Sequence, residues 1–205
     1  MHRLIRLTSE EHQVDDLVSR ARLGDVGAFE RLYHDHQAGI YTFILSQVRN
    51  RELAADLTQD TFVRAWDSLA RLRSAGAFRG WLHQIAANLV RDEVKSGRAR
   101  LEVTESVLAD ENGSPWHEPP GDAGDGPHDQ MVVAQMRSAV WQALGELPAA
   151  QRAAVVMHHM EEMSVKEIAR AAGVRPGTIM SRLARAREAL RVRLAPIVEV
   201  DDEQV

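Results

Sequence analysis

The stretch from Ser164 to Leu194, SVKEIARAAGVRPGTIMSRLARAREALRVRL, restricts the fold more than any other part of the chain. It predicts two helices joined by a tight turn. Ser164 can cap the first helix, and Glu167 stands three residues on, at the spacing of a capping box. Ile168, Ala169 and Ala172 give that helix an apolar edge, and Gly173 is placed to end it. Pro176 suits the first turn of the next helix, where its missing N–H costs nothing. In that second helix Ile179, Leu183, Ala186, Leu190 and Leu194 recur at helical spacing. Thr178, Ser181, Arg182 and Arg185 lie on the other side, with Arg175, Arg187, Arg191 and Arg193 around them. A short helix, a glycine turn and a helix with a basic polar face form a helix-turn-helix. Its second helix suits a DNA major groove, where small hydroxyls approach base edges and arginines take phosphates or guanine.

The charge balance fits this only once it is divided along the chain. Lys and Arg total 25 against 30 Asp and Glu, a net charge of −5. Evenly spread, that excess of acid would argue against a polyanionic partner. Yet Leu101–Gln130 holds Glu102, Glu105, Asp110, Glu111, Glu118, Asp122, Asp125 and Asp129, with no lysine or arginine. The tail adds Glu199, Asp201, Asp202 and Glu203. The remaining segments are therefore net basic, a footprint able to bind polyanions. The same 101–130 stretch is rich in glycine and proline and is expected to be a disordered acidic linker. It divides 205 residues into a helical domain over 1–100 and a second over 131–195, with an acidic tail over 196–205. No strand-like alternation occurs, so the class is all-α.

In chain order, Thr8 to Glu11 is a possible capping box for a first helix bearing Val14, Leu17, Val18 and Ala21. Gly24-Asp25 breaks it. A second helix is marked by Phe29, Leu32, Tyr33, His36, Ile40, Phe43, Ile44 and Val48, with a break at Asn50-Arg51. The third helix, Leu53 to Leu69, has an apolar arc of Ala55, Phe62, Ala65, Trp66 and Leu69. Asp56, Gln59, Asp60 and Asp67 gather on another side beside Val63. An acidic stripe is commonly just a solvated face. One flanking an apolar residue also suits a charge-steered protein contact. The connection RLRSAGAFRG, Arg71 to Gly80, is basic. A fourth helix follows, Trp81 to Lys95, with Trp81, Leu82, Ile85, Ala86 and Leu89 inward and Gln84, Asn88, Arg91 and Lys95 aligned outward. Amides and cations on one face suit a nucleic-acid strand, although a solvated face can carry the same residues. Past the linker, Val133, Met136, Val140, Ala143, Leu144 and Leu147 form a stripe. Pro148 opens a helix packing through Ala153, Val156, Met157 and Met160, and Pro196 with the acidic tail ends the second domain.

Other chemistries find little support. There is no cysteine, hence no disulfide framework and no zinc–thiolate site. His158 and Glu162 share a helix face beside His159, but no third ligand stands at a convincing spacing, so no metal site is expected. No phosphate-binding glycine loop and no nucleophile–base arrangement can be claimed; the chain is not expected to be an enzyme or to need a cofactor. No apolar run approaches membrane-spanning length, and MHRLIRLTSEEHQ lacks the apolar core of a secretory signal. A cytoplasmic protein without membrane insertion is expected.

Three motifs then carry a family resemblance. Asp56-Leu57-Thr58-Gln59-Asp60-Thr61-Phe62-Val63-Arg64-Ala65-Trp66 resembles the core-polymerase-binding helix of bacterial extracytoplasmic-function sigma factors, in the sigma-70 family. Phe78-Arg79-Gly80-Trp81-Leu82-His83-Gln84-Ile85-Ala86-Ala87-Asn88-Leu89 resembles their promoter-melting segment. Leu147-Pro148 with Arg152, then Ser164 to Arg187, is similar to their region four. The resemblance implies that Asp56, Gln59, Asp60, Phe62 and Val63 lie on or support a contact with core RNA polymerase. It implies minus-ten DNA contacts through Arg71, Arg73, Arg79, Gln84, Asn88, Arg91 and Lys95, with Arg98 and Arg100 on backbone phosphates. Arg175, Thr178, Ser181, Arg182 and Arg185 would lie in the minus-thirty-five element. Met180 stands where a lysine is frequent, Ala55 and Ala87 where a glutamate and an arginine are frequent, and Met163 where glycine is common. These departures imply an unusual promoter preference or weaker DNA contacts.

The implied protein is an alternative sigma factor, monomeric when free, that binds core polymerase and promoter DNA and helps melt the duplex. An anti-sigma factor is a plausible further partner. The alternative is a conventional dimeric helix-turn-helix regulator, in which the acidic stripe at Asp60 and the basic face at Asn88 have no obvious use.

Overall fold

The computed structural model describes residues 13–104 and 127–202, with side chains apart from 97–104, 127–133 and 196–202. The possible Thr8–Glu11 cap, Trp116 and most of the acidic linker lie outside these residues. Among the described residues there are only helices and turns, as an all-α class requires. The helices are α1 (its described part, 13–21), α2 (Val26–Val48), α3 (Arg51–Ser68), α4 (Phe78–Thr104), α5 (Pro127–Gly145), α6 (Ala149–Val155), α7 (Val165–Ala172) and α8 (Pro176–Asp202). Two single 3-10 turns, Leu69–Arg71 and Ala75–Ala77, link α3 to α4, and a π-helical turn, Val156–Met160, follows α6.

Local chemistry sets most of the boundaries. Gly24 takes φ 91° to end the first turn, and the Asp25 carboxylate caps α2 by accepting from the Ala28 amide at 3.0 Å. Asn50 caps α3 through the Leu53 amide at 2.9 Å. Ser164 and Glu167 form the full capping box of α7, and Gly173 closes that helix at φ 64°. Ser164→Ala is expected to cost about 1 kcal/mol of stability, measurable by denaturant titration.

α2, α3 and α4 pack on one another, and α8 packs on α5, α6 and α7. The two groups also meet: α4 lies against α7, and α2 against α6 and the π-helical turn. Their buried side chains join in one cluster, from Leu32, Ile40, Phe43 and Phe78 to Met163, Ile168 and Ile179.

Several expectations shift. On α3 the buried face is Ala54, Leu57, Thr58, Thr61, Phe62 and Ala65, whereas Ala55 is exposed. Thr58 and Thr61 are tolerated inside because their hydroxyls donate to the Ala54 and Leu57 carbonyls, each at 2.7 Å. On α7 Ala171 is buried and Ala172 exposed. Met136 and Met160 are exposed, and Trp141 and Met163 fill the second half instead. The helices also reach into the expected linker: α4 continues to Thr104, and α5 begins at Pro127, a favoured first helical residue. Pro196 does not end α8, which continues to Asp202. Proline's fixed φ is itself helical. Its cost falls on one hydrogen bond, to the carbonyl of Val192, a residue exposed to water.

Candidate functional site

The α3 surface comes first. Phe62 is buried, with its ring edge-on to Tyr33 at 4.7 Å and Phe29 at 6.4 Å. It therefore supports the surface from beneath and is not itself a contact residue. Trp66 rests on Phe29 at 4.9 Å yet keeps 38 % of its surface exposed, and Val63 keeps 59 %. Asp56, Gln59, Asp60 and Asp67 are all exposed along the same helix. Two apolar groups edged by carboxylates make a surface that desolvates at its centre and steers a basic partner at its rim.

The second surface is the loop before α4 and the first turns of that helix. Leu72 and Phe78 are buried and pin the loop at both ends. Arg71 and Arg73, on either side of Leu72, are exposed. They line a cavity of about 320 Å³ with Gly76, Trp81 and Gln84, and its far wall is Glu167 and Arg170 of α7. Further along α4, Asn88 and Arg91 are exposed and joined, the Arg91 guanidinium donating to the Asn88 side-chain oxygen at 2.8 Å. Lys95 is exposed beyond them. Arg98 and Arg100 lie on α4 where side chains are not described.

Arg79 differs from the rest of the expected set. Its guanidinium lies 3.8 Å from the Glu161 carboxylate, across the meeting of the two helix groups. Sequence reasoning did not find Glu161, because the pairing joins residues far apart in the chain. Burial raises the Glu161 carboxyl above its ordinary pKa, and Arg79 opposes that. A Cβ on Gly39 would stand 2.0 Å from a Glu161 carboxylate oxygen, so glycine in α2 gives that carboxylate its place. Behind the pair lie two neutral histidines. His36 is pushed down to about 4 by burial and by Arg79. His83 is pushed down to about 4, chiefly by burial, and pairs through Nδ1 with the Arg79 carbonyl at 3.0 Å. Glu167 is lowered: burial pushes it up, but hydrogen bonds from the Ser164 hydroxyl and amide outweigh this.

The third surface is α8. Ile179, Leu183 and Ala186 are buried against the other helices. Arg175, Thr178, Ser181 and Arg185 are exposed, and Arg182 is half-buried. The first turns of α8 thus offer hydroxyls and guanidinium groups to solvent while the apolar stripe holds the helix down. Among the described residues no cluster of His, Asp and Glu is arranged to hold a metal. His158 has Nδ1 against the Met163 carbonyl at 2.9 Å.

Comparison with known proteins matches these surfaces in order. The family model for Sigma-70 region 2 matches residues 32–100, which carry the α3 and α4 surfaces, and that for Sigma-70 region 4 matches 137–190, which carry α8. The ECF RNA polymerase sigma factor BldN of Streptomyces coelicolor is 33 % identical over 196 residues, covering 95 % of this chain and 70 % of that protein. The RNA polymerase sigma-H factor of Pseudomonas aeruginosa is 31 % identical over 196 residues, covering 94 % and 98 %. Among solved structures, CnrH in complex with the cytosolic domain of CnrY superposes with a TM-score of 0.64 at 23 % identity, covering 90 % of this chain and 98 % of that one. The sigma factor RpoE of Bartonella quintana, in complex with the anti-sigma factor NepR, superposes with a TM-score of 0.67 at 24 % identity, covering 83 % and 98 %. These two share the fold. With both sigma-70 regions in chain order and relatives of this identity over nearly its whole length, the chain belongs to the extracytoplasmic-function RNA polymerase sigma factors and is an alternative sigma factor.

Proposed function

We propose that each surface serves one step of promoter recognition. The α3 face, Asp56, Gln59, Asp60 and Val63 over Phe62, docks on core RNA polymerase. The α4 surface, with Arg71, Arg73, Arg79, Gln84, Asn88, Arg91 and Lys95, holds the minus-ten element as it opens. Extruding a base costs a few kcal/mol, which a fitted pocket offsets. The start of α8, with Arg175, Thr178, Ser181, Arg182 and Arg185, enters the major groove of the minus-thirty-five element. The chain performs no chemistry of its own, works as a monomer in the cytoplasm, and divides at the 101–130 linker into one unit for each promoter element. No described helix is long and apolar enough to cross a membrane. Two of the structures sharing its fold are complexes, with the anti-sigma factor NepR and with the cytosolic domain of CnrY; a protein that grips the α3 face of this chain would inhibit it.

The observation that carries this reading is the coexistence of an acid-rimmed apolar patch with two separate cationic surfaces. A dimeric regulator has no use for the first. The arrangement predicts weak DNA binding by the free chain, checked by DNA titration without polymerase: Arg79 is engaged by Glu161, and the loop faces α7. Separation of α4 from α7 would free Arg79 to join the exposed Arg71 and Arg73.

The test is reconstitution with core polymerase lacking any sigma factor, scored by co-elution and by discrete transcription starts on genomic fragments. Failure of folded chain to co-elute would refute the assignment. The double variant Asp60→Arg/Val63→Arg is expected to weaken polymerase binding at least about tenfold, since it reverses the rim charge and desolvates a cation at the centre. Its melting temperature should barely move, because both residues are exposed.

A further inference from the structure

Met180 is an apolar side chain on the exposed side of the first turns of α8, and it is 58 % exposed. Gly177 and Ala184 share its face at helical spacing, Ser181 stands next to both of them, and all three are exposed. The Ser181 hydroxyl turns back to the Thr178 carbonyl at 3.0 Å. The centre of the exposed face is therefore short and smooth; Met180 stands at one edge of it, in line with Arg187, and Arg185 stands at the other. Short neighbours let the helix approach closely, and Met180 is then the longest apolar side chain beside them.

What such a side chain can recognise is limited by its chemistry. A thioether has no donor and is only a weak acceptor, so it cannot take the guanine edge as a lysine or arginine would. Base edges in the major groove present hydrogen-bonding groups and one markedly apolar group, the 5-methyl of thymine. The flanking arginines make nucleic acid the fitting occupant of this face. We infer that Met180 reads the methyl group of a thymine in the minus-thirty-five element, and so sets a sequence preference that a lysine at this position would not. This inference rests on the assignment of α8 to that element.

The test uses the whole chain with core polymerase on a promoter that it transcribes. Each thymine of the minus-thirty-five element is replaced in turn by deoxyuridine, which removes only the methyl group. At one position the wild-type holoenzyme is expected to bind about fourfold more weakly, the effect of losing one buried methyl group. Met180→Ala should bind the natural promoter about fourfold more weakly and show no response to deoxyuridine there. Met180→Lys should also ignore the methyl group and gain a steeper salt dependence from an added phosphate contact. Three results would overturn the inference: an element without thymine, a wild-type holoenzyme indifferent to deoxyuridine throughout, or a Met180→Ala variant that keeps full sensitivity. Loss of polymerase binding by Met180→Ala without DNA would also overturn it, by moving the residue to a protein contact. Absence of any promoter-dependent transcription by the wild type would instead strike the assignment of function on which the inference stands.

Discussion

Acidification from pH 7 to pH 5 is expected to destabilise the folded chain by about 4 kcal/mol through two histidines alone. His36 and His83 are both held down to about 4 in the folded state, first of all by burial. Unfolded, each returns to the ordinary value of about 6.5. Below that value the unfolded chain takes up protons that the folded chain refuses. The stabilising contribution is therefore complete above about pH 6.5 and is lost as pH falls toward 4, at up to about 1.4 kcal/mol per unit for each residue. The charges facing them are Arg79, which opposes protonation of both, and Asp35 and Glu167, which favour it at His36 and His83 respectively. Glu161 acts in the opposite sense. Its raised pKa means that the folded chain gains a proton before the unfolded one, which partly relieves the loss near the bottom of the range. His159, lowered mainly by burial but largely exposed, adds a smaller loss of the same sign as the buried pair. Thermal melts at half-unit steps of pH measure the slope. His36→Gln/His83→Gln, which cannot titrate, should flatten it. A wild type as stable at pH 5 as at pH 7, or a double variant with an unchanged slope, would show that these rings are not buried neutral at the α4–α7 junction.

That junction also marks the limit of what the sequence discloses. The capping box at Ser164, the close at Gly173 and the stripe Ile179–Leu183–Ala186 are local chemistry, set by neighbours within one or two turns, and the structure repeats them. The helix-turn-helix and its exposed hydroxyls were legible for that reason. Phase within a helix was less secure. On α3 the choice of Ala55 over Ala54 and Leu57 for the apolar arc is a small rotation, and only the packing of α2 and α4 decides it. Phe62 was legible as part of the motif shared with the family, on or beneath the surface; its burial needed the fold, because motif position carries no depth. Met163, which stands where the family commonly has glycine, is fully buried, so its bulk belongs to the core. The Arg79–Glu161 pair was beyond reach, since periodicity carries no information about which helix lies opposite. Met180 was visible as a departure from pattern; its exposure needed the fold.

Arg152→Ala is expected to cost about 2–4 kcal/mol of stability and to loosen the second half of the chain first. Arg152 is a charged residue with only 7 % of its surface exposed, in a helix that is otherwise largely alanine and valine. Its role follows from the end of α5. Among the last carbonyls of that helix, Gln142 accepts from the Glu146 amide at 3.3 Å and Leu144 from the Leu147 amide at 3.1 Å. The Gly145 carbonyl accepts from the Arg152 guanidinium at 2.8 Å. A helix terminus buried against neighbours must have such partners, and a cation there also meets the negative end of the helix dipole. Burial lowers the Arg152 pKa first, the nearby Arg49 second, to about 10, so the group remains charged at neutral pH. Alanine removes the bond, strands the Gly145 carbonyl and leaves a cavity. Arg152→Met separates these effects: it restores most of the volume and should recover part of the loss, leaving about 1–3 kcal/mol for the unpaired carbonyl. Denaturant titration gives the total, and hydrogen exchange at the α5 and α6 amides gives its location. A cost under about 1 kcal/mol for alanine would mean that water replaces the guanidinium at the α5 terminus. Equal costs for alanine and methionine would instead assign the whole effect to the hydrogen bond. On the proposed assignment, polymerase binding through the α3 face should survive in either variant at temperatures where the chain is folded, while recognition of the minus-thirty-five element by α8, which packs on α6, should weaken.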